Sequence, residues 1–179
     1  QYEVKKGSPL SKAEEKQLIE FCKSNPHLYG IHSLLVLLYT GMRLGELASM
    51  KIESENNYTF ITCETEKTRK GYATIRRRIP ISPMFRKVWD KIDFEKAKAA
   101  SSKTLSDTIK RVFPDRHVHE LRYTFISRCK ECGCNLELVM LWDGHEFDKD
   151  VRTSKVDRGY TQYSDEIYFG DIEKVNYAL

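Results

Sequence analysis

The segment that most limits the fold is Ile31-His32-Ser33-Leu34-Leu35-Val36-Leu37-Leu38-Tyr39. Asn25-Pro26 closes the helical pattern before it, and Thr40-Gly41 breaks the pattern after it. The segment predicts a helix that is apolar nearly all round, and such a helix must be covered on every side. No stretch of the chain approaches the roughly 18 uninterrupted apolar residues of a membrane helix, so no membrane partner is predicted and the cover must be protein. The sequence therefore predicts other helices packed around a central one, and 179 residues suffice for one such domain with its own core.

The flanking patterns supply that cover. Residues 1–8 are polar and are expected to be a linker from an upstream domain, because the sequence begins with Gln and suggests a fragment or processed product. Residues 9–179 form the predicted domain. Ser11 and Glu14 have capping-box spacing ahead of Leu18, Ile19 and Phe21-Cys22. Arg43 to Met50 predicts a further helix. The period then changes: Tyr58 to Cys63 and Tyr72 to Ile81 are strand-like, with a turn at Lys70-Gly71. Pro80 restricts the second strand to an edge or an end.

From Ser82 onward the pattern is helical again, through Phe85, Val88, Trp89 and Ile92, then Leu105, Ile109 and Val112-Phe113. Helices are predicted from about His119 to Cys132, ended by Gly133, and from Leu136 to Trp142. Residues 146 to 158 are strongly charged and read as a loop, and residues 165–179 as an amphipathic tail helix. That tail can pack on its own domain or on a neighbouring copy. The fold class is mainly α with a small antiparallel β-sheet (α+β).

Charge and cysteine usage narrow the partners. The formal net charge is +4, and Lys67, Arg69, Lys70, Arg76, Arg77 and Arg78 are concentrated in one run. Such a run attracts phosphate, although a solvated face has the same composition. Five cysteines without a disulfide-framework spacing suit a reducing, cytoplasmic setting, and the first residues lack the apolar core of a signal peptide. Cys129, Cys132 and Cys134 with His117 or His119 raise a zinc module, but no second ligand pair has suitable spacing, so neither metal nor cofactor is expected.

Four short motifs carry chemistry. In Thr40-Gly41-Met42-Arg43-Leu44-Gly45-Glu46-Leu47, an arginine at a helix start can bind phosphate, with Glu46 holding its fork. A surface ion pair would look the same. His119-Glu120-Leu121-Arg122 puts a proton-transferring group and a permanent cation on one helix face. Gly144-His145 follows a helix, and Gly159-Tyr160-Thr161-Gln162-Tyr163 offers two hydroxyl nucleophiles. Each of these has a structural reading as a cap, an ion pair or a packing residue.

Their order is more telling than any one of them. Arg43, a basic hairpin, His119 with Arg122, His145 and then Tyr160 resemble the pattern of the tyrosine recombinases, the DNA strand-exchange enzymes of phage and transposon integrase type. "TGMRLGEL", "HELRYTF", "LWDGH" and "GYTQYS" resemble the family's successive boxes from about residue 8 to 165. The resemblance implies catalytic roles for Arg43, Lys67, His119, Arg122, His145 and Tyr160, with Lys70 and Tyr163 as competitors for the lysine and the nucleophile. It implies double-stranded DNA as partner, a tetramer on DNA for the full-length protein, and a bacterial or phage-encoded origin. Tyr123 replaces a frequent second histidine, and the interval from His145 to Tyr160 is longer than the family's usual one. A silent DNA-binding module of the same fold and a type IB topoisomerase are the rival readings.

Overall fold

A computed structural model describes residues 7–65, 76–145 and 163–179. The chain opens with α1 (Lys12–Ser24), whose Ser11 and Glu14 form the predicted capping box. Next comes α2 (Tyr29–Thr40), in which every residue from Gly30 to Thr40 is buried. This is the central helix foreseen from its apolar circumference. Three of its polar side chains are satisfied internally, while the buried Tyr39 hydroxyl has no hydrogen-bond partner among the described residues. Ser33 donates to the Ala97 carbonyl at 2.6 Å and Thr40 to that of Val36 at 2.7 Å. His32 accepts the Asp93 N–H at Nδ1 (3.0 Å), so Nε2 carries the proton it shares with the Pro26 carbonyl (3.1 Å).

A helix over Arg43 to Met50 is replaced by a 3₁₀ turn, Leu44–Ser49, with Arg43 as its extended N-cap. The hairpin is also larger than predicted. Three antiparallel strands occur in the order β1 (Lys51–Glu55), β2 (Tyr58–Glu64) and β3 (Arg76–Pro80). Asn56 and Asn57 join the first two with φ of 51° and 66°, the two-residue turn that matches strand twist. Pro80 ends the outer strand β3, opposite Phe60. The predicted turn at Lys70-Gly71 lies outside the described residues.

Helices α3 (Pro83–Arg86), α4 (Phe94–Ala99), α5 (Ser102–Val112), α6 (Glu120–Glu131) and α7 (Leu136–Asp143) follow, with a 3₁₀ turn at Trp89–Lys91. The last elements are α8 (Asp165–Gly170) and a 3₁₀ turn at Asp171–Lys174, instead of one continuous tail helix. The tail packs on its own domain. Phe169 stacks on Tyr58 and Phe60 with centroids 4.9 and 5.1 Å apart, and the Tyr177 hydroxyl donates to Glu15 at 2.8 Å. It thus covers the second face of the sheet, which explains why Phe60 to Cys63 are buried without alternation.

Candidate active site

Three buried arginines meet where the start of the 3₁₀ turn, β3 and α6 converge. Arg77 makes the floor. Its Nη1 and Nη2 lie 2.5 and 2.6 Å from the two oxygens of Glu46, and its Nε donates to the Trp142 carbonyl at 2.9 Å. Glu46 was expected to hold the fork of Arg43. It holds that of Arg77 instead, while its Oε1 accepts the Arg43 backbone N–H at 2.7 Å and its Oε2 stands 3.9 Å from Arg43 Nη1. Glu46 therefore fixes Arg43 mainly by its backbone, as a cap does.

Arg122 projects from the first turn of α6 and is 3% exposed. Its Nη1 donates to two carbonyls, Gly41 at 2.5 Å and Asp143 at 2.6 Å. Gly41 can turn its carbonyl this way because it ends α2 in the left-handed conformation, φ 67°. Burial, then the neighbouring Arg43, depress the Arg122 guanidinium pKa below its ordinary value. An arginine keeps its proton at neutral pH, so Arg122 stands as a buried cation with a second cation beside it. Among the described residues Arg43, Arg77 and Arg122 gather around Glu46 and Asp143. Two guanidinium groups as close as those of Arg43 and Arg122 make a setting that suits an anion such as a phosphate.

His145 stands at the rim, with its side chain 46% exposed. Asp143 holds it twice, accepting the His145 backbone N–H at 2.8 Å and lying 2.8 Å from Nδ1. Arg122 Nη2 is a more distant 3.4 Å from the same Nδ1. The shorter contact fixes the tautomer: Nδ1–H donates to the carboxylate, which leaves Nε2 for a ligand. Asp143 sits inside the "LWDGH" segment, but its positioning role was not inferred from sequence, because only the histidine has reactive chemistry.

His119 is the exposed N-cap of α6, its ring edge-on to Tyr123 at 5.0 Å. It lines a cleft of about 290 Å³ together with Leu44, Ser102, Ser106 and His117. The structure thus joins Arg122 to His145 through Asp143, sets Arg43 near Arg122 and puts His119 on an adjoining cleft. Lys67, Lys70 and Tyr160 lie outside the described residues. Tyr163 is described, and its hydroxyl donates to Glu137 at 2.6 Å. The basic run divides: Arg76 is exposed, Arg77 is buried, and Arg78 lies over the rings of Phe60, Tyr168 and Phe169 at 5.6, 5.2 and 5.0 Å. Among the described residues no group of three or more His, Cys, Asp or Glu side chains is arranged to hold a metal ion.

Helices packed around the buried α2 and a three-stranded antiparallel sheet give the chain the fold of a tyrosine-recombinase catalytic domain. The XerH site-specific recombinase bound to palindromic difH substrate matches with a TM-score of 0.52 at 18% identity, over 86% of this chain and 50% of that one. The Tn1549 transposon integrase in complex with circular intermediate DNA matches with a TM-score of 0.58 at 16% identity, over 96% of this chain and 66% of that one. The chain thus spans about half and two thirds of these two proteins. No protein-family model and no curated protein sequence matches it.

Proposed function

We propose that residues from about 9 onward are the catalytic unit of a site-specific recombinase that integrates or excises a mobile element. The observation that carries this reading is the meeting of two buried arginines, Arg43 and Arg122, with His145 beside the second. In this reading Tyr160 attacks a scissile phosphate of double-stranded DNA. The Tyr Oη–P bond forms as the P–O5′ bond breaks, leaving a 3′-phosphotyrosine and a 5′-hydroxyl. Lys67 protonates the leaving oxygen. Arg43 and Arg122 brace the non-bridging oxygens, where charge accumulates in the transition state. His145 adds a hydrogen bond from Nε2 in its charged form, and His119 exchanges protons. A hydroxyl from the partner strand then reverses the step, and the balance needs neither nucleotide nor metal. The bond from Tyr163 to Glu137 supports Tyr160 as the nucleophile. The full-length protein would act as a tetramer on DNA, in a cytoplasmic setting.

A nicked suicide DNA bearing an end of the element tests this, with the full-length protein and a denaturing gel. A covalent adduct lost in Tyr160→Phe but kept in Tyr163→Phe is expected, with DNA binding nearly unchanged. Loss only in Tyr163→Phe would move the nucleophile. No adduct on DNA that the protein demonstrably binds would leave a DNA-holding module.

A further inference from the structure

Helix α6 ends in a way that brings two cysteines together. The Cys134 N–H donates to the Cys129 carbonyl at 3.0 Å and the Gly133 N–H to that of Lys130 at 3.1 Å. With Gly133 at φ 81°, these two bonds make the glycine-terminated cap in which the residue after the glycine folds back on the last helical turn. In most helices that contact joins two hydrophobic side chains; here it joins Cys129 to Cys134. Both are buried, at 0% and 5% exposure, and their thiols interact, raising the pKa of Cys129 and lowering that of Cys134. Cys132, on the intervening cap, is only partly buried. The Cys134 sulfur also faces the tail, 3.6 Å from the Asp171 carbonyl.

We propose that Cys129 and Cys134 are a dithiol modification site, oxidised by a peroxide to a reversible intramolecular disulfide. The proposal is independent of the DNA chemistry. Cys134 is the attacking group, because it is the less buried of the two and lies beyond the end of the helix, and the neighbouring Cys129 draws its thiol below the ordinary value. Its thiolate attacks one peroxide oxygen, so an S–O bond forms, the O–O bond breaks and the departing oxygen leaves as water once protonated. Cys129 sulfur then displaces the sulfenic hydroxyl as a second water, giving the S–S bond. Two thiols and one hydrogen peroxide thereby become one disulfide and two waters. The bridge takes the Cys134 proton away from Asp171, so oxidation registers at the seat of the tail. A dithiol reductant restores the pair.

The test is to treat the folded chain with hydrogen peroxide and measure its mass intact and after trypsin. Cleavage after Lys130 separates Cys129 from Cys132 and Cys134, so a bridge from Cys129 appears as two joined peptides that reductant parts. Loss of two hydrogens, with the joined peptides persisting in Cys132→Ser and disappearing in Cys134→Ser, is the expected result. A bridge that involves Cys132, links two chains, or is replaced by oxygen addition at Cys134 would overturn the assignment. So would an unchanged mass in the folded protein under conditions that oxidise the unfolded chain.

Discussion

Arg77 has basic neighbours on both sides in the sequence, yet it alone of the three described members of that run is fully withdrawn from solvent. Its bidentate pair with Glu46 fixes the backbone of Arg43, so in the proposed reaction the pair would position a phosphate-bracing residue without itself touching the phosphate. Breaking a buried pair from one side leaves an uncompensated charge. Glu46→Gln should therefore cost about 3–5 kcal/mol, read as a lower urea midpoint with unchanged slope. Asp143 makes a different demand. An Asn there has one oxygen for two N–H groups, and its NH₂ would meet a second donor. Asp143→Asn should keep the fold but release His145, and single-turnover DNA cleavage should fall on the order of a hundredfold. An unchanged rate would remove His145, or its orientation, from the reaction.

Among the elements, the ones legible in the sequence were those whose burial leaves a pattern. The apolar circumference of α2, the capping box of α1 and the glycine stops of α6 and α7 all survive in the structure. Strand β1 was not legible because it is exposed along its whole length, so Lys51–Glu55 shows no apolar alternation. Its signal was the Asn56-Asn57 turn, which tolerates positive φ. At the candidate site, the sequence singled out Arg43, Arg122 and His145 by their order, whereas the partners of Glu46 depend on a strand 31 residues away. Glycine stops also separate backbone strain from packing. Gly133 has nothing within 4 Å of a built Cβ, but at Gly41 a Cβ would lie 2.4 Å from the Phe125 ring. Gly133→Ala should cost about 1 kcal/mol from conformation alone, and Gly41→Ala about 3 kcal/mol once overpacking is added. Chemical denaturation of the two variants reads the difference, and equal losses would contradict the packing at Gly41.

At the scale of the whole molecule, carboxylates on distant segments tie the chain's two ends to its middle, and this sets its response to acid. Arg116 donates to Glu14 at 2.6 Å, to Glu120 at 2.7 Å and to the Ser8 carbonyl at 2.8 Å, fastening the segment before α1 to α6. Arg86 holds Glu173 of the tail at 2.7 Å. Arg116 draws Glu14 below its ordinary value of 4.5, and Arg86 does the same to Glu173. Burial pushes Glu120 up, but the backbone N–H groups of His117 and Ser8 together with Arg116 outweigh it, so it too lies low. A carboxylate whose folded value is depressed contributes stability that is present above the unfolded value and is lost as pH falls through the folded one. Glu15, raised by burial, acts in the opposite sense: its contribution is present at low pH and is lost as pH rises through its folded value. Asp165 is drawn down as well, by Asn56 and Arg78, so among the described carboxylates four depressed groups oppose one raised group and stability should decline as pH falls below 4.5. Arg116→Ala isolates the effect. It should cost about 2 kcal/mol at neutral pH, after allowing for solvent screening of partly exposed pairs. At low pH, once Glu14 and Glu120 are protonated in both proteins, most of that gap should close, leaving only the carbonyl contacts of Arg116. Urea unfolding at neutral pH and at successively lower pH, until the Glu14 and Glu120 carboxylates have lost their charge, measures it. A gap that stays constant would mean that Arg116 acts through those carbonyls and that the carboxylates contribute little to joining the ends.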